Sequence, residues 1–203
     1  ERGRASLKES PVQLLAALRP IGLQAEADMY AATGGVNTHK GALFSLGLLC
    51  AAWGRLQAQN QPLTAENLCD LAAQMTAGIT RREMQATDTH GLAVHAAYGA
   101  KGVRGEAESG FASVRELAMP QLSRPNGKYL ALLSLMAHVR DTNVLHRAGE
   151  EGLHWLQSRA KDLFSTFSIS AMEQLDRECI EKNISPGGCA DLLAIALFLE
   201  RVT

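Results

Sequence analysis

The run ALFSLGLLCAAWGRLQAQ, residues 42–59, decides the fold class. Its Leu46, Leu49, Trp53 and Leu56 recur three or four positions apart, the spacing that gathers side chains on one side of an α-helix. A half-buried strand would need strict alternation, which the run lacks. On the N-terminal side, Leu14, Leu15 and Leu18 begin a second stripe, and Pro20 predicts a break or kink in it. Residues 21–32 then read as helix up to Gly34 and Gly35. On the C-terminal side, Thr64 before Ala65-Glu66-Asn67 predicts a capped helix to about residue 77. Thr80, with Glu83 three positions on, predicts another helix start, and that helix is expected to run through 90–97.

The glycines at 99, 102, 105 and 110 predict a loop over 98–110. A short helix follows from Phe111 to near Pro120, then a turn at 123–127. Residues 129–139, 141–167 and 171–182 read as helices. Ser185-Pro186-Gly187-Gly188 opens the last one, which ends near Arg201. The expectation is an all-α fold of about eight to ten helices, forming a single domain over residues 1–203.

Composition agrees. Of the 203 residues, 46% are apolar and only 5% aromatic, which suits helices packed on Ala and Leu better than sheets. The formal charge of −1 gives no basic surface for a nucleic acid or membrane. The apolar runs are too short to span a bilayer, and no secretory signal pattern is present. Cys50, Cys69, Cys179 and Cys189 form no CxxC pair. They predict free, mostly buried thiols and a reducing, cytoplasmic setting rather than a zinc site. The chain starts on Glu1, so an upstream segment, carried on the same or a separate polypeptide, is an open expectation.

Polar residues collect at glycine-rich junctions. In GGVNTHKG, 34–41, two glycines allow close backbone approach. Asn37, Thr38, His39 and Lys40 follow at the head of an apolar helix, where N–H groups and a lysine suit phosphate. The same pattern also reads as a helix cap with a solvated lysine, and it is not a P-loop. In GVRGEAESG, 102–110, Arg104, Glu106 and Glu108 suit phosphate and a hard cation if the segment is a loop. In a helix the two glutamates would not share a face. In DTNVLHRAG, 141–149, Asp141 can cap a helix on which Asn143 and Arg147 share a face, as do His146 and Glu150. In SPGGCAD, 185–191, Asp191 complements a helix dipole or faces a cation. His90, next to Gly91, is a better functional candidate than His95, His138 or His154. No Ser–His–Asp or Cys–His arrangement stands out. The residues support an acid-rich site with Arg and Lys, suited to a divalent metal and a polyphosphate.

The four strings, with FSLGLLCA at 44–51 and DRECIEKN at 176–183, resemble the triphosphoribosyl-dephospho-CoA synthase family over nearly the whole chain. Members of that family serve citrate lyase or malonate decarboxylase, and the motifs do not separate the two pathways. The chain departs from the family pattern in lacking a PKPG-like segment and a further His–Asp pair, and in carrying Ala148 where a second glycine is usual.

The resemblance implies a helical transferase that joins ATP to 3′-dephospho-CoA and releases adenine. It implies attack by the acceptor ribose 2′-hydroxyl on C1′ of the ATP ribose, with inversion. On this expectation Mg²⁺ lies among Glu106, Glu108, Asp141 and Asp191. Asn37, Thr38, Lys40, Arg104, Asn143, Arg147, Ser185, Gly187 and Gly188 bind the nucleotide. His39, His90, Glu106 and Asp141 are the candidates for catalytic roles. Two other readings are a nucleotide or ADP-ribosyl hydrolase and a nucleotide-binding regulatory domain without turnover.

Overall fold

The computed structural model of the chain describes residues 1–83 and 90–203, apart from the side chains of His90, Gly91 and Leu92. Every regular element among them is helical, as expected from the sequence. After a 3₁₀ turn at Arg4–Ser6 come α1 (Pro11–Ala32), α2 (Lys40–Ala58), α3 (Ala65–Thr76), α4 (Ile79–Glu83), α5 (His90–Tyr98) and α6 (Gly102–Glu108). A π-helical segment, Val114–Ala118, leads into α7 (Met119–Leu122). Then follow α8 (Gly127–His138), α9 (Thr142–Ser165), α10 (Ile169–Glu181) and α11 (Gly187–Val202). Among the described residues, no helix is long and apolar enough to cross a membrane.

The chain forms two compact units. The first comprises Glu1–Arg82, Val103–Phe111 and Phe198–Thr203; the second comprises Glu83–Gly102 and Ala112–Leu197.

In the first unit α1, α2 and α3 pack against one another. Leu14, Leu48, Leu49, Leu68 and Met75 are fully buried there, and each such side chain contributes roughly 1.5–3 kcal/mol by leaving water. Ser10 and Gln13 form a reciprocal capping box at the start of α1, with Pro11 in its first turn. α1 is continuous through Pro20, so of the expected break or kink the break does not occur. Pro20 is exposed, and buried Leu14, Leu15 and Met29 anchor the helix on both sides of it. Packing therefore outweighs the one lost backbone bond. Thr64 caps α3 as expected, accepting the Asn67 N–H. Thr80 does not cap: α4 begins at Ile79, and the Thr80 hydroxyl donates to Glu108. Of the helix expected to continue through 90–97, the span 84–89 lies outside the described residues.

The expected loop at 98–110 is largely the helix α6. Gly102 and Gly110, both at positive φ, bracket that helix, and Phe111 N–H closes its end on the Glu106 carbonyl. Glycine at helix ends, rather than throughout a loop, explains the composition.

In the second unit α9 is central, with α5, α8 and α10 packed on it. Buried Leu145, Leu153, Leu156, Ala160 and Leu163 supply its inner face. α9 is bent at Gly149, whose φ of 62° and ψ of −163° are open in practice only to glycine. Cys69, Cys179 and Cys189 are buried free thiols, and Cys50 is exposed.

Candidate functional site

The DTN and SPGG motifs meet in the second unit. Asp141 sits in extended conformation before α9 and caps it. Its Oδ1 accepts the N–H groups of Asn143 at 2.8 Å and Val144 at 3.3 Å. Its Oδ2 accepts the N–H of Cys189 at 2.9 Å, in the first turn of α11. The Cys189 side chain adds a further hydrogen bond to the same carboxylate. Asp141 is 2% exposed. Burial pushes its pKa above the ordinary carboxylate value, against the lowering pull of the bonds from Cys189, Asn143 and Val144.

The paired glycines make this approach possible. A Cβ on Gly188 would stand 3.0 Å from Asp141 Oδ2, and one on Gly187 would stand 2.6 Å from Asn143 Nδ2. Any larger residue at 187 would displace the Asn143 amide. Gly102, at φ 54°, is held against the same turn, where an added Cβ would lie 3.1 Å from Thr142 Cγ2.

Beyond the carboxylate, Asn143 and Arg147 are exposed on the first half of α9. Arg147 donates to the Asn183 side chain at 3.3 Å, which ties the KN pair before SPGG to the same face. Ser185 and Asp191 are partly buried, and Asp191 keeps a partner. His146 and Glu150 stand on opposite sides of the Gly149 bend. Glu150 is engaged by Arg140 at 2.5 Å, and Arg140 also donates to the Tyr98 carbonyl that ends α5. Ala148 is accommodated by Gly152, since a Cβ at 152 would fall 2.3 Å from that of Ala148.

In the first unit the GGVNTHKG turn is exposed from Gly34 to His39, with positive φ at both opening glycines. Asn37 Oδ1 accepts the Lys40 N–H at 3.1 Å, so Asn37 serves the head of α2. Thr38 and His39 share a 2.6 Å side-chain hydrogen bond. The Lys40 ammonium lies 2.8 Å from Glu26 on α1, which offsets the charge expected for phosphate. Glu106 and Glu108 both stand on α6, two residues and so roughly 200° apart, and do not share a face. Glu108 is bonded to Thr80, and Arg104 and Glu106 also have partners. The His90 side chain lies outside the described residues.

Among the described residues, no three His, Cys, Asp or Glu side chains gather closely enough to hold a metal by themselves. The features that sequence reading did not name are the Cys189 amide, Asn183 and the Arg140–Glu150 pair. The double glycine after Ser185-Pro186 was the available signal for the first of these, because it permits a backbone to approach something closely.

A solved structure from Archaeoglobus fulgidus, described provisionally as a triphosphoribosyl-dephospho-CoA synthase, has the same fold. It superposes with a TM-score of 0.59 at 15% identity, over 98% of this chain and 94% of that one. The family model for ATP:dephospho-CoA triphosphoribosyl transferases (CitG) matches residues 2–203. With that match spanning the motifs that meet at Asp141, the chain belongs to the ATP:dephospho-CoA triphosphoribosyl transferase family.

Proposed function

We propose that the chain transfers the triphosphoribosyl group of ATP to the ribose 2′-hydroxyl of 3′-dephospho-CoA. The observation that supports this reading best is the junction of α9 and α11. There Gly187 lies directly against the Asn143 amide, and Arg147 shares the exposed face. A guanidinium can fork across two phosphate oxygens, and an amide can donate to phosphate while accepting from a ribose hydroxyl. Ser185, Gly187 and Gly188 complete the nucleotide-binding edge in this reading.

In the reaction, the 2′-oxygen of the acceptor attacks C1′ of the ATP ribose. The C1′–O2′ bond forms as the C1′–N9 bond breaks, and adenine leaves with the bonding electrons. A base takes the hydroxyl proton, and adenine is protonated as it leaves. The transition state carries oxocarbenium character, and a single displacement inverts C1′. His39 and His90 are the proposed candidates for base or adenine contact, with Glu106 as the carboxylate alternative. Asn37, Thr38, Lys40 and Arg104 enter this reading through the motifs they stand in.

Mg²⁺ belongs to the proposal as the partner of the triphosphate. It usually keeps several waters and takes one or two carboxylates besides phosphate oxygens, so a full protein cage is not required. Of the expected carboxylates, Asp191, Glu106 and Glu108 each suit that chemistry. Asp141 does not, since its oxygens already accept backbone donors. When bound, the ion would neutralise phosphate charge.

The test is an incubation with ATP, Mg²⁺ and 3′-dephospho-CoA, following adenine and the coupled product together. Adenine release that depends on dephospho-CoA is expected. ADP without adenine would overturn the glycosyl-transfer reading. Adenine release that ignores dephospho-CoA would replace it with a hydrolase, and ATP binding without turnover would replace it with a regulatory domain.

A further inference from the structure

We infer that Asp141 is a positioning residue, an internal anion that clamps the starts of α9 and α11 into one ligand-facing junction, and is neither a Mg²⁺ ligand nor the catalytic base. The inference rests on the transferase reading for its kinetic part and on geometry alone for its structural part.

A carboxylate offers about four lone-pair directions. Three are taken by backbone N–H groups, of Asn143, Val144 and Cys189, and the Cys189 side chain approaches as well. At 2% exposure, little of the group is left for a ligand to reach. The backbone donors around it favour an anion over a cation, although burial as a whole raises its pKa. The helical segment 142–148, which ends at the Gly149 kink, and the 16-residue α11 point their N-terminal ends at it, and the N–H groups at each end carry partial positive charge. Asp141 already supplies the negative charge those ends favour. A divalent cation in the same place would be opposed by both dipoles.

The clamp has a mating surface. A Cβ on Gly188 would fall within 3.1 Å of Cγ and both oxygens of Asp141, so the carboxylate lies flat against a residue that must lack a side chain. One residue earlier, Gly187 fits the Asn143 amide in the same way. Asp141 and Gly188 therefore fix the spacing of the helix starts, while Asn143 and Arg147 face outward. The acid acts through its neighbours.

Two substitutions separate this role from metal ligation. Asp141→Ser keeps an oxygen able to cap α9 but is too short to hold Cys189. Gly188→Ala leaves the carboxylate intact and pushes α11 away from it. Amide hydrogen exchange is measured on both variants and the parent, alongside kcat, KM and the Mg²⁺ concentration for half-activation, with thermal melting as the check on folding.

Loss of protection at Cys189 is expected in both variants, with Val144 protection kept in Asp141→Ser. Because displacements of about 1 Å can cost 10²-fold, kcat should fall by about that factor in both while Mg²⁺ half-activation stays put. Unchanged Cys189 exchange in both variants would overturn the clamp. A shift in Mg²⁺ half-activation confined to Asp141→Ser would overturn the positioning role in favour of ligation. If Asp141→Ser does not fold, Cys189 exchange in Gly188→Ala decides the clamp, and Mg²⁺ half-activation of Asp141→Asn, which keeps one accepting oxygen, decides ligation. Should the parent protein release no coupled adenine, the transferase reading fails and the exchange result still decides the clamp.

Discussion

Asp141 Oδ2 accepts the backbone N–H of Cys189 at 2.9 Å, across 48 positions of sequence. One carboxylate thereby satisfies orphan donors at the starts of two helices. Its titration should report on that position. Burial raises its pKa above the ordinary value of 3.8, and a raised acid contributes stability that is fully present below the unfolded value. That contribution is lost as pH rises through the folded value. The stability of the parent relative to Asp141→Asn should therefore decrease as pH climbs from below 3.8. Denaturant titrations at several pH values measure it, and the ¹³C shift of the Asp141 carboxyl should titrate above 3.8.

The Arg159–Glu178 pair joins α9 to α10 through two hydrogen bonds of 2.9 and 3.1 Å. The bond from Arg159 is the main reason that Glu178 titrates below 4.5. Here the sign is opposite: stability is present above the unfolded value and lost as pH falls through the lowered one. Glu178→Gln should flatten the acid side of the stability curve slightly, and added salt should shrink the difference.

Gly149 holds a backbone conformation that a Cβ disfavours, with little else in its way, since Tyr98 Oη would be 3.7 Å off. Gly149→Ala should cost about 1–3 kcal/mol through backbone strain. Chemical denaturation would show it as a lower midpoint with an unchanged slope.

Leu156 on α9 is fully buried. Leu156→Ala should destabilise the protein by about 2–5 kcal/mol, by lost burial and a residual cavity. The same denaturation experiment checks it, and a cost below that of Gly149→Ala would show that the second unit is not built around α9.

Arg147→Lys keeps the charge but loses the planar fork. If Arg147 binds the triphosphate, KM for ATP should rise about tenfold, equivalent to about 1.4 kcal/mol. Melting temperature should hardly move, because the side chain is exposed and its described partner is the Asn183 amide. An unchanged KM removes Arg147 from the nucleotide site.

Much of the helical layout was legible in short stretches. Thr64 and Asp141 cap because a side-chain oxygen needs only the next few amides. The errors arose where distant packing overrode local preference. Pro20 sits inside α1 because buried Leu14 and Leu15 before it and Met29 after it hold the helix together. Thr80, suited to a cap, turns instead to Glu108. Four glycines suggested a loop around 98–110, yet two of them merely terminate α6.

The sequence alone determined the helical class, the Thr64 and Asp141 caps and the four glycine-bounded motifs, because each depends on residues within a turn or two of one another. Only the tertiary structure decided which motif groups meet. It set Gly187 and Gly188 against Asn143 and Asp141 and bound Lys40 to Glu26. Those outcomes depend on through-space distances between segments far apart in the chain, which no local periodicity encodes.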